Sequence, residues 1–145
     1  MAVEAARDPS DRGVRARIKA DASRPSAAAK EVAWQRIHGE GYGSFHLTRA
    51  AMQGFFWPHQ ADLLEPYEAA FFARVRQVFA EHDHPFARHY VLNLFPAYRA
   101  DPRVVDRAQA LLTSLDGEQP TLTRQVAEAA DELARSVRVR ACAEG

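Results

Sequence analysis

Leu122-Thr123-Arg124-Gln125-Val126-Ala127-Glu128-Ala129-Ala130-Asp131-Glu132-Leu133-Ala134-Arg135-Ser136-Val137 is the stretch whose reading decides the fold. Leu122, Val126, Ala129, Ala130, Leu133 and Val137 recur at steps of three and four, while Arg124, Glu128, Asp131, Glu132 and Arg135 fall on the opposite side. That spacing places one apolar stripe along a helix and leaves the charges for water. Thr121, just after Pro120, reads as an N-cap, because a hydroxyl can accept from the unpaired amides of a first turn.

Working upstream, the same period returns. Asp101-Pro102 reads as a helix start, with aspartate as cap and proline in the first helical position; Val104, Val105, Ala108, Leu111, Leu112 and Leu115 then form a stripe that Gly117 ends. Leu64, Tyr67, Phe71, Val75, Val78 and Phe79 form another, entered at Pro66. Between them Pro85–Phe95 has almost no polar face, which predicts a helix buried on nearly all sides. Asp11–Ala22, Ser26–His38 and Leu47–Phe56 repeat the scheme more weakly, with Ser26 and Ser44 as N-caps. About six helices joined by short turns are expected, and no hairpin signal breaks the pattern. The chain therefore reads as all-α. Antiparallel helix pairs stacked as a HEAT- or armadillo-like αα-superhelix are the first expectation, and a compact bundle is the alternative.

Composition agrees. The 145 residues suffice for one helical domain spanning 1–145. Lys+Arg and Asp+Glu are both 19, so no net field favours nucleic acid or an anionic membrane, and neither is expected as a partner. The single cysteine, Cys142, excludes an intrachain disulfide and a cysteine-based zinc site. With no apolar run of roughly 20 residues and no signal-peptide core at Met1–Arg7, the expectation is a cytoplasmic protein.

Three groupings could carry chemistry. Glu81-His82-Asp83-His84, with His89, offers metal-ligand types, but at a helix end beside Pro85 they would point apart, and a polar turn is the better reading. Gly39, Gly41 and Gly43 superficially resemble a phosphate-cradling loop but lack the preceding strand a nucleotide fingerprint needs. Phe55-Phe56-Trp57-Pro58-His59 could stack on a ligand, though aromatics at helical spacing are more often core. No serine has the context of a nucleophile. The expected set of catalytic, cofactor-binding and metal-binding residues is therefore empty.

Several of these segments together resemble a known family. Arg7-Asp8-Pro9-Ser10-Asp11-Arg12-Gly13, Ala28-Ala29-Lys30 leading to Trp34, Gly54-Phe55-Phe56-Trp57-Pro58-His59-Gln60 and Leu63-Leu64-Glu65-Pro66-Tyr67 with Phe72 are similar to the C-terminal helical domain of bacterial aminopeptidase N. Leu94-Phe95-Pro96 and the stretch from Leu122 to Arg138 resemble the close of that domain, especially in actinobacterial members. The likeness runs from about Glu4 to Cys142 and rests on packing and turn motifs. It implies an all-helical domain that covers the active-site chamber of a zinc metallopeptidase removing N-terminal residues from peptides. In that family a separate gluzincin domain carries the Gly-x-Met-Glu-Asn and His-Glu-x-x-His motifs; neither occurs here, so no catalytic or zinc-binding residue carries over.

The resemblance further implies that zinc belongs to the catalytic domain, that this domain is the chain's partner, and that peptide substrate passes near a concave face. This chain alone is then no enzyme. Residues 1–7 read as the end of a truncated helix and Met1 as an imposed boundary, so Val3, Val14 and Ile18 would be exposed and favour self-association. The reading from a different class is a free-standing helical-repeat interaction module.

Overall fold

The computed structural model describes residues 11–144, with the side chains of Asp11 and Glu144 left aside. Seven helices account for most of it, against the six or so expected from the periodicity, and no strand occurs among the described residues. They are α1 (Asp11–Ala22), α2 (Ala27–His38), α3 (Phe45–Phe55), α4 (Ala61–Glu81), α5 (His84–Leu94), α6 (Pro102–Leu115) and α7 (Pro120–Glu144). Two compact units are distinguishable, Met1–Leu63 and Leu64–Gly145.

In the first unit α1 packs most extensively on α3, and α2 touches both. The α1–α3 approach is close because Gly54 has no side chain: a Cβ there would overlap the carbonyl oxygen of Lys19. Ser26 and Ser44 cap α2 and α3 as expected, accepting from Ala29 N at 3.2 Å and Leu47 N at 3.3 Å. The core consists of Ala22, Ala33, Trp34, Ile37, Ala50, Ala51, Met52 and Phe55. Val32, apolar but on the outer side of α2, is 57% exposed.

In the second unit α7 packs on α6 and α5. Asp101 caps α6 as predicted, accepting from Arg103 N at 2.9 Å. Phe71 of α4 stacks on Tyr90 of α5 and meets Phe95 edge-on, forming an aromatic layer within a core that also holds Val104, Ala108, Leu115, Leu122, Val126, Ala130 and Leu133.

Four features differ from expectation, each for a local reason. α4 begins at Ala61, and Pro66 sits inside it; with Asp62 in the first turn, favourable charge at the helix N-terminus supports the earlier start. α7 begins at Pro120, not after a Thr121 cap, because proline's missing amide costs nothing in a first turn. The hydroxyl of Thr123 donates to Glu118 O instead. α6 closes at Asp116, itself left-handed (φ 46°), one residue before Gly117. Finally, α5 is not buried all round: Leu92 is 61% exposed, leaving one face unpartnered.

Candidate functional site

The three groupings singled out in the sequence do not converge. Asp83 accepts from Phe86 N at 3.0 Å, so its carboxylate is the N-cap of α5. His82 stacks on Phe86 with ring centroids 4.0 Å apart. The backbone oxygen of His89 accepts from Asn93 Nδ2 at 2.8 Å. Among the described residues no three His, Cys, Asp or Glu side chains come together to hold a metal ion.

Gly41 and Gly43 occupy positive φ, 72° and 99°, in the α2–α3 connection. The hydroxyl of Thr48 organises that turn, accepting from Tyr42 N and donating to Ser44 O, both at 3.1 Å. Arg36 lies over the Tyr42 ring, 4.0 Å from its centroid. These glycines therefore serve a tight turn between two helices. In the aromatic stretch, Phe55 is core, whereas Trp57 is 42% exposed with Lys19 Nζ 5.8 Å from its ring centre.

Two buried charges escaped the sequence reading. Lys30 is fully shielded from solvent. Its ammonium donates to the carbonyl oxygens of Ala22 and Phe55, each at 2.7 Å. Those are the last residues of α1 and α3, so one cation satisfies acceptors that both helix ends would leave unpaired and meets the negative ends of two helix dipoles. The Phe55 ring lies 5.3 Å from the same nitrogen. Burial pushes the Lys30 ammonium down to about 8.

Glu68 is the second buried charge. Arg99 grips it with two donors, Nε to Oε2 at 3.1 Å and Nη2 to Oε1 at 3.2 Å, and the Tyr98 hydroxyl donates to Oε2. Arg99 also lies 3.3 Å from Asp101, which Arg103 engages through Nε and Nη2. The Arg103 hydrogen bonds hold the Asp101 carboxyl below the usual carboxylate range. Burial, and then donation to Glu68, raises the Tyr98 phenol. With Glu65 at the rim, this network ties α4 to the segment that enters α6. Both buried carboxylates in it are held by cations, so its chemistry is that of a structural clamp.

A sign of both was present in the sequence. Lys30 stands in step with Trp34 and Ile37, and Glu68 in step with Leu64, Phe71, Val75 and Val78. A charge on an apolar stripe must either find partners or break the helix.

A groove of about 400 Å³ lies between α5 and α7, lined by Val91, Leu92, Ala129 and Leu133 with Arg88, Glu128 and Glu132 at its edges. Its lining mixes apolar and charged side chains, and the Ser136 hydroxyl in it donates to the backbone oxygen of Glu132, one turn back along α7.

No protein-family model matches the chain. A curated relative does: aminopeptidase N of Streptomyces lividans is 30% identical over 141 residues. The chain is similar to a segment of aminopeptidase N. The match takes in 97% of the chain but 16% of the relative, so the chain spans about a sixth of the protein it resembles. The resemblance to aminopeptidase N carried by the packing and turn motifs thus extends over nearly every residue. No helix among the described residues is long and apolar enough to cross a membrane.

Proposed function

We propose that the chain is the non-catalytic C-terminal helical domain of an aminopeptidase N-type zinc metallopeptidase, a cytoplasmic enzyme that removes N-terminal amino acids from peptides. The observation that carries this reading is the match of 97% of the chain to 16% of aminopeptidase N. In this reading residues 1–145 belong to one αα-superhelical domain that covers the active-site chamber, peptide passes near its concave face, and zinc resides in the catalytic domain. The chain's own chemistry is consistent: its buried charges are used up in helix capping and clamping.

The test is complementation. The relative, deleted of its matching segment, is expected to lose hydrolysis of leucyl-p-nitroanilide and to regain it when this chain is supplied as a separate polypeptide. The chain alone is expected to show none, because a catalytic zinc needs three convergent protein ligands and an open position. Zinc-dependent hydrolysis by the chain alone, abolished by substituting His82 or His84, would overturn the non-catalytic assignment.

The free-standing interaction module is the second reading, favoured by the exposed Leu92 beside the α5–α7 groove. Coding sequence upstream separates the two: an in-frame His-Glu-x-x-His supports the enzyme, a ribosome site directly before Met1 the module. For self-association through the N-terminal helices there is less support, since Val14 and Ile18 are already half-buried in a helix packed on α3, and Val3 lies outside the described residues.

A further inference from the structure

The connection from α5 to α6, residues 95–101, is anchored at both ends and tied down in the middle through one carboxylate. At its start Phe95 is buried edge-on against Phe71 and Phe72, and Pro96 is buried next to it. At its end Asp101 caps α6 and is gripped by Arg103, so it keeps its cap bond and a cation with or without Arg99. Between these anchors Ala97 is exposed, and Tyr98, Arg99 and Ala100 are half-buried. Two backbone hydrogen bonds stay inside the connection, Ala97 N donating to Phe95 O at 2.7 Å and Asp101 N to Arg99 O at 3.0 Å. Each closes a tight turn, one at either end.

The middle is tied to α4 through polar contacts. Glu68 accepts from the Tyr98 hydroxyl and from Arg99 Nε and Nη2, and the exposed Glu65 lies 3.7 Å from Arg99. The remaining ion pair of Arg99, with Asp101, lies within the connection itself. A segment that buries little apolar area opens far more readily than the whole domain unfolds. Its opening then costs about what its polar contacts contribute.

We propose that residues 97–100 form a strap that swings away from α4 as a unit while the helices stay folded, with Glu68 as its latch. Opening exchanges the bonds of Tyr98 and Arg99 to Glu68 for bonds to water, and the two end turns serve as hinges. Hydrogen bonds to an ionised group contribute more than neutral ones, so the Glu68 charge holds the strap shut. The inference does not depend on the aminopeptidase reading.

Trypsin reads the open form. It cleaves after lysine and arginine but not before proline, and it binds its substrate as an extended segment. Among the connections between the described helices, Arg24 precedes Pro25 and the others apart from 95–101 hold no lysine or arginine, so Arg99–Ala100 is the bond that trypsin can cut. Arg99 must leave Glu68 to enter the protease.

The 145-residue chain is digested under native conditions and its first cuts are identified by mass spectrometry. Wild type is expected to be cut at Arg99–Ala100 about tenfold or more faster than at Arg107–Ala108 within α6. Below the unfolding transition the Arg99 rate should change little with urea, because local opening exposes little surface, while the Arg107 rate rises steeply. Glu68→Gln keeps the size of the side chain and removes its charge, and should speed the Arg99 cut about tenfold. Tyr98→Phe, a milder change that leaves the ring in place, should speed it severalfold, again with a shallow urea response. Equal rates at Arg99 and Arg107 in wild type, or an equally steep urea response at both, would show that the connection opens only when the helices unfold and would overturn the proposal. An Arg99 rate that neither substitution raises would equally overturn it, since Glu68 would then not be the latch.

Discussion

Lys30 Nζ lies 2.7 Å from the carbonyl oxygen of Phe55, 25 residues along the chain, and the two are buried together. With the second bond to Ala22 O, this one ammonium is where α1, α2 and α3 are joined by polar contacts. Lys30→Met keeps the length of the side chain and removes the cation, leaving two buried carbonyls without donors. The expected loss is roughly 2–5 kcal/mol, read as a fall in the urea midpoint of unfolding. A midpoint within error of wild type would show that the carbonyls find other donors.

The pH dependence of that loss has a definite sign. Burial holds the folded-state Lys30 at about 8, below the ordinary value of 10.5, so between those values the unfolded chain binds more proton. Its contribution to stability therefore rises with pH across the window from about 8 to 10.5, because the cost of burying the charge disappears as the amine becomes neutral. Tyr98 and Tyr90, whose phenols are raised by burial, act in the opposite direction above pH 10. Subtracting Lys30→Met from wild type cancels them. The difference in unfolding free energy is expected to shift in favour of wild type by up to about 3 kcal/mol from about pH 7 to pH 10.5, measured by urea titration at each pH.

Gly54→Ala tests the closeness of α1 and α3. Alanine gains helix propensity of about 1 kcal/mol over glycine, yet its Cβ would collide with the backbone carbonyl of Lys19, which cannot rotate away. Overpacking of this kind typically costs about 1–3 kcal/mol or more, so a net loss is expected, seen as a lower Tm. A raised Tm would mean that α1 slides without penalty.

Glu68→Ala removes the centre of the second clamp and leaves Arg99 with Asp101 and the exposed Glu65. Because the partly exposed Arg99 keeps these partners, the expected loss is about 1–3 kcal/mol, below the cost of leaving a buried charge with none. Tyr98→Phe removes one donor from Glu68 and is expected to cost about 1–2 kcal/mol. Since both residues belong to one network, the double variant should lose less than the two single losses together, and a chemical-denaturation cycle measures the coupling. Strict additivity would show that the phenol and the carboxylate act independently.

The helices themselves were legible because their signals are local. Asp101-Pro102, Ser26 and Ser44 act within one turn, and a cap needs only the backbone amides that follow it. The boundaries that moved did so where two signals competed: Pro66 is tolerated within α4, and Asp116 takes the left-handed conformation ahead of Gly117. The resemblance to aminopeptidase N also needed only sequence, since its motifs are contiguous, and the match over 97% of the chain extends it.

The roles of Lys30 and Glu68 needed the third dimension. From sequence each is a charge in step with apolar neighbours, and nothing local says whether that face meets water or a partner 25 or 30 residues away. Packing brings Phe55 O to Lys30 and Tyr98 to Glu68, and with them the hydrogen bonds that make buried charge tolerable. The same holds for α5: composition made it apolar all round, but only packing across space decides that Val91 is buried and Leu92 is exposed. Helix formation follows from neighbours along the chain, so the sequence determines it; which face is buried depends on neighbours across space, and the tertiary structure decides that.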